Sequence, residues 1–336
     1  MSNNVVAHGV FDLRRWLEKA NAIGQLQEVE GADPKFELGC ITDLNAKRGG
    51  PAMLFKNFPG YREGFRVQTG SMMNPATLGL TMGFEGALSN LEVVDQVADI
   101  LRSAETRAKD FPVEYVTTGP VMENVVTGDD VDLTIFPTPT WHELDGGPYI
   151  GTACSQVNRD PDTGWVNVGT YRNQLLGKNI LGTYIASGHH GDIIRRKYWD
   201  RGQPCPIVVG FGGHPLTFLI SGADLPAGVD ELSWVGAIAG QRVPVIKGPV
   251  TGLPIPADWE IAIEGYVAEG DTMMEGPLGE YTGYYAGGRN EEPVIRVEAL
   301  YYRNDPILVG SPPARPPHNY SYQESVIRSA PVKEAL

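Results

Sequence analysis

Cysteine is scarce in this sequence of 336 residues, which has only three cysteines, at positions 40, 154 and 205. An odd number of widely separated cysteines excludes a disulfide framework and a Cys-x-x-Cys metal site. No apolar run reaches the about 18 residues of a membrane-spanning helix, and the first residues lack the basic and apolar regions of a signal peptide. We therefore expect a cytoplasmic protein that is not in the membrane.

Positively charged residues are also few. Lysine and arginine number 27 against 41 aspartates and glutamates, which gives a formal net charge of −14. An acidic chain is a poor partner for nucleic acid or an anionic membrane, so we expect neither. A Gly-x-Ser-x-Gly elbow and a Walker loop are both absent, and Pro215 replaces the third glycine of a dinucleotide fingerprint after Ile207. These absences leave a small-molecule enzyme or binding protein, and an anionic ligand would need local cations.

The first third of the chain mixes helical and strand patterns. Apolar residues at helical spacing predict a helix from Asp12 to Ile23, which Asp12 can cap and Gly24 can end. Residues 51–57 are typical of a strand, and residues 91–107 of a second amphipathic helix. The pattern predicts an α/β domain over residues 1–110.

After Pro112, strand patterns punctuated by glycine and proline dominate, which predicts a β-rich second domain. Within it, the turn residues of 160–164 predict a hairpin between strands at 152–158 and 165–172. Side chains alternate along a strand, so Asn167 and Arg172 fall on opposite faces. If both contact one ligand, the strand must bend, and Gly169 is the expected place. Short helices are predicted at 192–199 and from near Val229.

One glycine-rich loop carries the chemistry. Glu275 and Glu280 flank Pro277, and Arg172 lies in the hairpin upstream. When two carboxylates lie beside a guanidinium, one carboxylate can stay ionised while the other holds a proton. This arrangement is typical of general acid or base catalysis. The residues alone leave another interpretation open, in which both glutamates only brace the loop.

His189 and His190 precede the predicted helix 192–199, where free backbone N–H groups favour phosphate. Taken singly, each histidine is more often a capped or surface side chain. The helix dipole alone can explain Glu231 in the first turn of its helix.

Five sequence blocks in one order resemble the UbiD family of prenylated-flavin-dependent decarboxylases. The blocks are Asn167-Val-Gly-Thr-Tyr-Arg172, His189-His190, Leu225-Pro226 with Asp230-Glu231, Pro256-Ala-Asp-Trp-Glu260-Ile-Ala-Ile-Glu264-Gly265 and Glu275-Gly-Pro-Leu-Gly-Glu280-Tyr-Thr-Gly-Tyr-Tyr285. The resemblance extends from the helix at Asp12 to the proline-rich segment at 311–317. It implies an α+β fold in which the N-terminal α/β domain, residues 1–110, precedes a central split β-barrel, residues 111–310, that binds the flavin. Residues 311–336 would begin a linker to a C-terminal oligomerisation domain, which we expect to be missing here.

The resemblance also assigns roles by position. It implies that Asn167, His190 and Glu231 bind a divalent metal, Mn²⁺ or Mg²⁺, against the flavin phosphate, with K⁺ nearby. Arg172, Glu275 and Glu280 match the catalytic arginine and two glutamates of the family. The implied contacts of the prenylated FMN are Asn167, Val168, Gly169, Thr170, Tyr171, Arg172, His189, His190 and Glu231.

The implied activity is the reversible, non-oxidative decarboxylation of an aromatic acid, with phenolic benzoates first, or of an α,β-unsaturated acid. It would proceed through a covalent adduct of substrate and flavin, with Glu280 as the proton donor. A flavin prenyltransferase would supply the cofactor, and the enzyme would be a homo-oligomer if the C-terminal domain is present. Two alternatives stay open, a flavin-binding split-barrel oxidoreductase and a non-catalytic subunit of a larger decarboxylase complex.

Overall fold

The computed structural model describes residues 9–84 and 88–335. The helices are α1 (Leu13–Ala22), α2 (Glu37–Lys47), α3 (Pro75–Met82), α4 (Asn90–Arg107), α5 (His190–Trp199), α6 (Pro215–Ser221), α7 (Glu231–Ala239) and α8 (Asn319–Ala335). The strands are β1 (Leu26–Glu30), β2 (Ala52–Lys56), β3 (Arg66–Thr69), β4 (Glu114–Val116), β5 (Asn124–Thr127), β6 (Tyr149–Gly151), β7 (Ser155–Arg159), β8 (Val166–Gly169), β9 (Arg172–Gly177), β10 (Ile180–Tyr184), β11 (Cys205–Gly210), β12 (Pro244–Lys247), β13 (Pro254–Pro256), β14 (Ile261–Val267), β15 (Thr272–Glu275), β16 (Asn290–Tyr302) and β17 (Ile307–Gly310).

The N-terminal region forms a four-stranded sheet in the order β1-β2-β3-β17. The helices predicted at 12–23 and 91–107 and the strand predicted at 51–57 are confirmed as α1, α4 and β2. The side chain of Asp12 accepts a hydrogen bond of 2.8 Å from the backbone N–H of Arg14, so it caps α1 as predicted. Strand β17 pairs in parallel with β3, so the chain returns to its first sheet after completing the second region. The predicted domain boundaries stay a prediction.

The second region contains a three-stranded sheet in the order β13-β12-β4 and a larger, curled antiparallel sheet of ten strands. Its main path runs β6-β9-β10-β16-β14-β11-β7-β8, and β5 and β15 both pair with β16. The expected α+β class with a partly open barrel is confirmed. Helix α5 packs against β7, β8 and β11, and helix α7 packs against β8. These two helices bring their first residues to the same end of the sheet.

The predicted hairpin is present as β7 and β8, which pair Asn158 with Asn167 across the turn. The expected bend is also present, because β8 ends at Gly169 and the next strand begins only at Arg172. A side chain added at Gly169 would collide with the phenol of Tyr171, at 2.4 Å, so the bend requires glycine there. The bend separates Asn167 and Arg172 into two adjacent regions.

The helices of the second region were only partly predicted. Helix α5 begins at His190, two residues before the predicted start, and α7 begins at Glu231 with Asp230 as its cap. The sequence pattern missed α6. All seven of its residues are buried, so no polar face produces a helical periodicity.

The segment that was expected to begin a linker contains α8. This helix packs on α4, where the Tyr322 hydroxyl donates a 3.0 Å hydrogen bond to the side-chain oxygen of Asn90. Within residues 9–84 and 88–335, none of the helices combines the length and the apolar character needed to span a membrane.

Candidate active site

Arg172 and Glu275 form a two-point ion pair in the curled sheet. Arg172 is the first residue of β9, and Glu275 is the last residue of β15. The guanidinium Nε and Nη2 donate to the carboxylate oxygens Oε1 and Oε2 at 3.0 and 2.7 Å. Burial lowers the pKa of Arg172, but the hydrogen bonds and charge of Glu275 outweigh burial and raise it. Since Glu275 is only 1% exposed, this pair is a fixed, charge-assisted contact.

Tyr149 supplies a third donor to Glu275. Its hydroxyl donates to Glu275 Oε1 at 2.9 Å, and the tyrosine side chain is completely buried. Burial, followed by the charge of Glu275, raises the pKa of Tyr149 well above its usual range. The phenol therefore stays protonated and acts only as a donor. Glu275 thus accepts three hydrogen bonds from side chains.

Glu280 is placed differently. Its Oε1 lies 3.7 Å from Nη1 of Arg172, beyond a hydrogen bond, and its side chain is 36% exposed. It lines a cavity of about 280 Å³ with residues from four segments of the chain. The other lining residues are Asp43, His142, Glu143, Leu144, Gly279, Gly283, Tyr284, Tyr285, Pro313, Ala314 and Arg315. Glu280 is thus the carboxylate of this cluster that a ligand and solvent can reach.

The loop that carries Glu280 is anchored by Asp145. One carboxylate oxygen of Asp145 accepts from the backbone N–H of Gly279 and from the hydroxyl of Tyr285, both at 3.0 Å. The backbone N–H of Glu280 donates to the carbonyl of Tyr284 at 2.8 Å. The position of Glu280 is therefore set by contacts on both sides of the loop.

A second cleft, of about 600 Å³, lies on the other side of the bend between β8 and β9. Asn167 in β8 and the first residues of α5 and α7, His190 and Glu231, all line it. So do the other predicted cofactor contacts Val168, Gly169, Thr170, Tyr171 and His189. The predicted contact Arg172 is absent from this lining and belongs to the cluster of Glu275. The hydroxyl of Tyr171 accepts the backbone N–H of Gly191 at 3.0 Å, which ties the bend to α5.

Glu231 is buried without a cation. It is 4% exposed, its Oε2 accepts the backbone N–H of Val168 at 3.0 Å, and no lysine or arginine in the described ranges forms an ion pair with it. Burial raises the pKa of Glu231 to about 7. A buried carboxylate of this kind is stabilised when a positive ion binds beside it.

The predicted metal ligands offer a suitable donor set. The side-chain amide of Asn167 donates to Asn158 at 3.0 Å, which leaves its oxygen to bind a cation, and the ring of His190 packs edge-on against Trp165. Two oxygen donors and one imidazole suit Mn²⁺ or Mg²⁺. Among residues 9–84 and 88–335, no group of three His, Cys, Asp or Glu side chains could hold a metal. The expected set contains only two residues of those types, and it stays a prediction.

Sequence reasoning missed two aromatic neighbours of Arg172. The guanidinium lies 4.5 Å from the ring centre of Tyr184, and Tyr149 contacts the partner carboxylate. A tyrosine in a predicted strand normally indicates packing. Since 126 positions separate Tyr149 from Glu275, no local spacing could reveal their contact.

Two family models match the chain. The 3-octaprenyl-4-hydroxybenzoate carboxy-lyase Rift-related domain matches residues 114–316, and the N-terminal domain of the same carboxy-lyase matches residues 17–101. The first match covers more than half of the chain and includes every candidate site residue.

Curated relatives and solved structures agree with these matches. The chain is 34% identical over 311 residues to the pyrrole-2-carboxylic acid decarboxylase of Pseudomonas aeruginosa, covering 90% of this chain and 62% of the relative. It is 33% identical over 307 residues to the phenolic acid decarboxylase of Streptomyces sp. strain D7, covering 88% of this chain and 62% of the relative. The chain thus spans less than two thirds of both relatives. An evolved dimeric form of the UbiD-class enzyme HmfF from Pelotomaculum thermopropionicum, solved with prFMN, superposes with a TM-score of 0.84 at 31% identity, covering 96% of this chain and 72% of that chain.

Proposed function

The chain belongs to the UbiD family, and from this premise we propose that it catalyses the reversible, non-oxidative decarboxylation of an aromatic carboxylic acid with prenylated FMN. The names of both curated relatives, which act on pyrrole-2-carboxylic acid and on a phenolic acid, support this substrate class. The observation that carries the proposal is the placement of one reachable carboxylate, Glu280, beside a guanidinium already paired with a second carboxylate, Glu275.

The cleft beside Asn167 is the proposed cofactor site. Asn167, His190 and Glu231 would hold Mn²⁺ or Mg²⁺ against the flavin phosphate, because the acidic Glu231 would otherwise repel that phosphate. His189 and the backbone of residues 168–172 would contact the cofactor, with K⁺ nearby. When bound, the prenylated flavin supplies an electron sink at the carbon that bears the carboxylate.

The residues of the chain have separate roles in the proposed reaction. Arg172 pairs with the substrate carboxylate and orients it. The bond between the ring carbon and the carboxylate breaks, CO₂ leaves, and Glu280 delivers a proton to that carbon. Glu280 regains a proton from solvent, which reaches its partly exposed side chain. Glu275 accepts two hydrogen bonds from Arg172 and keeps it in place.

The finer specificity remains part of the proposal. Phenolic benzoates are the first candidates and α,β-unsaturated acids the second. The reverse reaction, carboxylation, would use the same groups at high CO₂. A flavin prenyltransferase would supply the cofactor, and the enzyme would act as a homo-oligomer if the C-terminal domain is present.

Co-expression with a flavin prenyltransferase tests this function. The purified chain should carry prenylated FMN, recognised by its absorbance spectrum and intact mass, and should release CO₂ from pyrrole-2-carboxylate or a phenolic benzoate. Omitting the prenyltransferase provides the matched control, which should bind unmodified FMN and release no CO₂. A chain that binds only unmodified FMN, or no flavin, under co-expression would contradict the proposal. NAD(P)H-dependent flavin reduction without CO₂ release would favour an oxidoreductase.

A further inference from the structure

Two carboxylates share one guanidinium in the candidate active site. Glu275 takes two nitrogens of Arg172, and Glu280 lies 3.7 Å from the third. With a single positive charge between them, the two acids repel, so one of them holds a proton more readily than the other. A hydrogen-bond donor favours the ionised form of the acid that it contacts.

Tyr149 is an uncharged donor that contacts only one of the two acids, in addition to the two hydrogen bonds from Arg172. Its hydroxyl contacts Oε1 of Glu275 at 2.9 Å, while Glu280 receives no side-chain hydrogen bond from any described residue. Charged groups near Glu275 among the described residues include Arg172 on β9, which pairs with it, and Glu292 on β16, while Glu280 on the loop shares Arg172 with it. Glu292 is itself an acid, so it opposes the ionised form of Glu275. Tyr149 is thus an uncharged group that favours a charged Glu275.

Resting on the proposed function, we propose that Tyr149 is a positioning residue that keeps Glu275 ionised and so assigns the transferable proton to Glu280. Without the phenol O–H, Glu275 would be held by Arg172 alone and would accept a proton more readily. Arg172 would then be free to close the remaining distance to Glu280 and hold it as a carboxylate. The proton donor would be lost although both glutamates were still present.

The chain offers a matched control in a second phenol–carboxylate pair. The hydroxyl of Tyr301 donates to Oε2 of Glu264 at 2.7 Å, and both side chains are buried, at 1% and 0% exposure. Glu264 also accepts the backbone N–H groups of Val250 and Thr251 and lines neither cleft. The variants Tyr149→Phe and Tyr301→Phe therefore remove the same bond at two places, only one of which faces Arg172.

Carbon-13 NMR titration of the chain with labelled glutamate carboxyl groups tests the assignment directly. Glu275→Gln and Glu280→Gln identify the two signals. In Tyr149→Phe, the pH midpoint of the Glu275 signal should rise by about one unit or more, the equivalent of a hydrogen bond to a charged group. Tyr301→Phe should leave both signals unchanged. An unchanged Glu275 midpoint in Tyr149→Phe, or an equal rise in Tyr301→Phe, would overturn the proposal.

If Tyr149→Phe fails to fold, 3,5-difluorotyrosine at position 149 keeps the shape and strengthens the donor. It should lower the Glu275 midpoint, and a rise or no change would contradict the proposal. In the loaded enzyme, Tyr149→Phe should reduce kcat about tenfold with little change in KM and move the acid limb of the pH–rate profile, while Tyr301→Phe should do neither. Absence of turnover in the native chain would refute the proposed function, and the NMR titration would still decide the role of Tyr149.

Discussion

Glu231 and Glu275 are both buried carboxylates close to the bend between β8 and β9, but their surroundings are opposite. Glu275 accepts two guanidinium nitrogens and a phenol hydroxyl. Glu231 accepts one backbone N–H from Val168, and the described part of the chain provides no cation for it. Burying a charge is costly unless it is paired. The carboxylate of Glu275 is therefore paired as folded, whereas the metal ion that we propose beside Asn167 and His190 would supply the positive charge that Glu231 lacks.

The same comparison separates Glu280 from both. Glu280 is partly exposed and close to Arg172 without a hydrogen bond to it, so solvent and a ligand can reach its carboxylate. We infer three separate roles. The pair of Arg172 and Glu275 positions the substrate, the cleft of Glu231 binds the metal and cofactor, and Glu280 donates the proton.

The largest effect is expected for Glu280→Gln. The amide keeps the shape and most hydrogen bonds, so cofactor and substrate should still bind. Turnover should fall on the order of a thousandfold, because general acid groups contribute about 10²- to 10⁴-fold. CO₂ release and deuterium incorporation from heavy water measure the loss. Glu298→Gln, on the exposed face of β16, is the control, and a near-native rate in Glu280→Gln would eliminate its role as the acid.

Local features of the fold were predictable from the sequence. Helix α1 and its Asp12 cap, the hairpin of β7 and β8, and the bend after Gly169 all depend on residues close together in the chain. The pairing of β17 with β3 was not predictable, because it joins segments from opposite ends of the sequence. Helix α6 gave no periodic signal because it is buried on all sides.

The candidate site was likewise predictable only in part. The resemblance supplied Arg172, Glu275 and Glu280 by motif, and the structure brings all three together. Their distances depend on how β9 and β15 are arranged in three dimensions. Tyr149 carries no motif and reaches Glu275 only through the folded sheet. The sequence also contained no sign that Arg172 lies outside the cleft that the other predicted cofactor contacts line.

An intermediate effect is expected on removal of the metal. Chelation should release the flavin, because its phosphate would face Glu231 without a counter-ion. Flavin affinity, measured by fluorescence titration, should fall by at least about tenfold. Mutating a residue that only hydrogen-bonds to a metal ligand already lowers metal affinity or activity by about that factor. Adding Mn²⁺ back should restore it, and Asn167→Ala should abolish this restoration. Flavin affinity that is unchanged in chelator would refute the site of Asn167, His190 and Glu231.

The smallest effect, and the most direct test of the comparison, is on the stability of the metal-free chain. Glu275→Gln should lower the free energy of unfolding by about 1–3 kcal/mol, because the half-buried guanidinium of Arg172 loses its charged partner. Glu231→Gln should leave it unchanged or raise it by about 1 kcal/mol, because the amide removes a buried carboxylate that lacks a cation.

Thermal unfolding with and without Mn²⁺ separates these two cases. The native chain and Glu275→Gln should both gain stability from Mn²⁺, because the ion binds only the folded state. Glu231→Gln should gain little stability from Mn²⁺. It should therefore be as stable as the native chain or more stable without Mn²⁺, and less stable with it. A large destabilisation by Glu231→Gln in the metal-free chain would mean that the protein already satisfies this carboxylate, and the two acids would then not differ as the structure indicates. Because the two variants make the same chemical change at buried positions, a difference in the sign of the stability change reflects the charges and hydrogen-bond donors around each carboxylate.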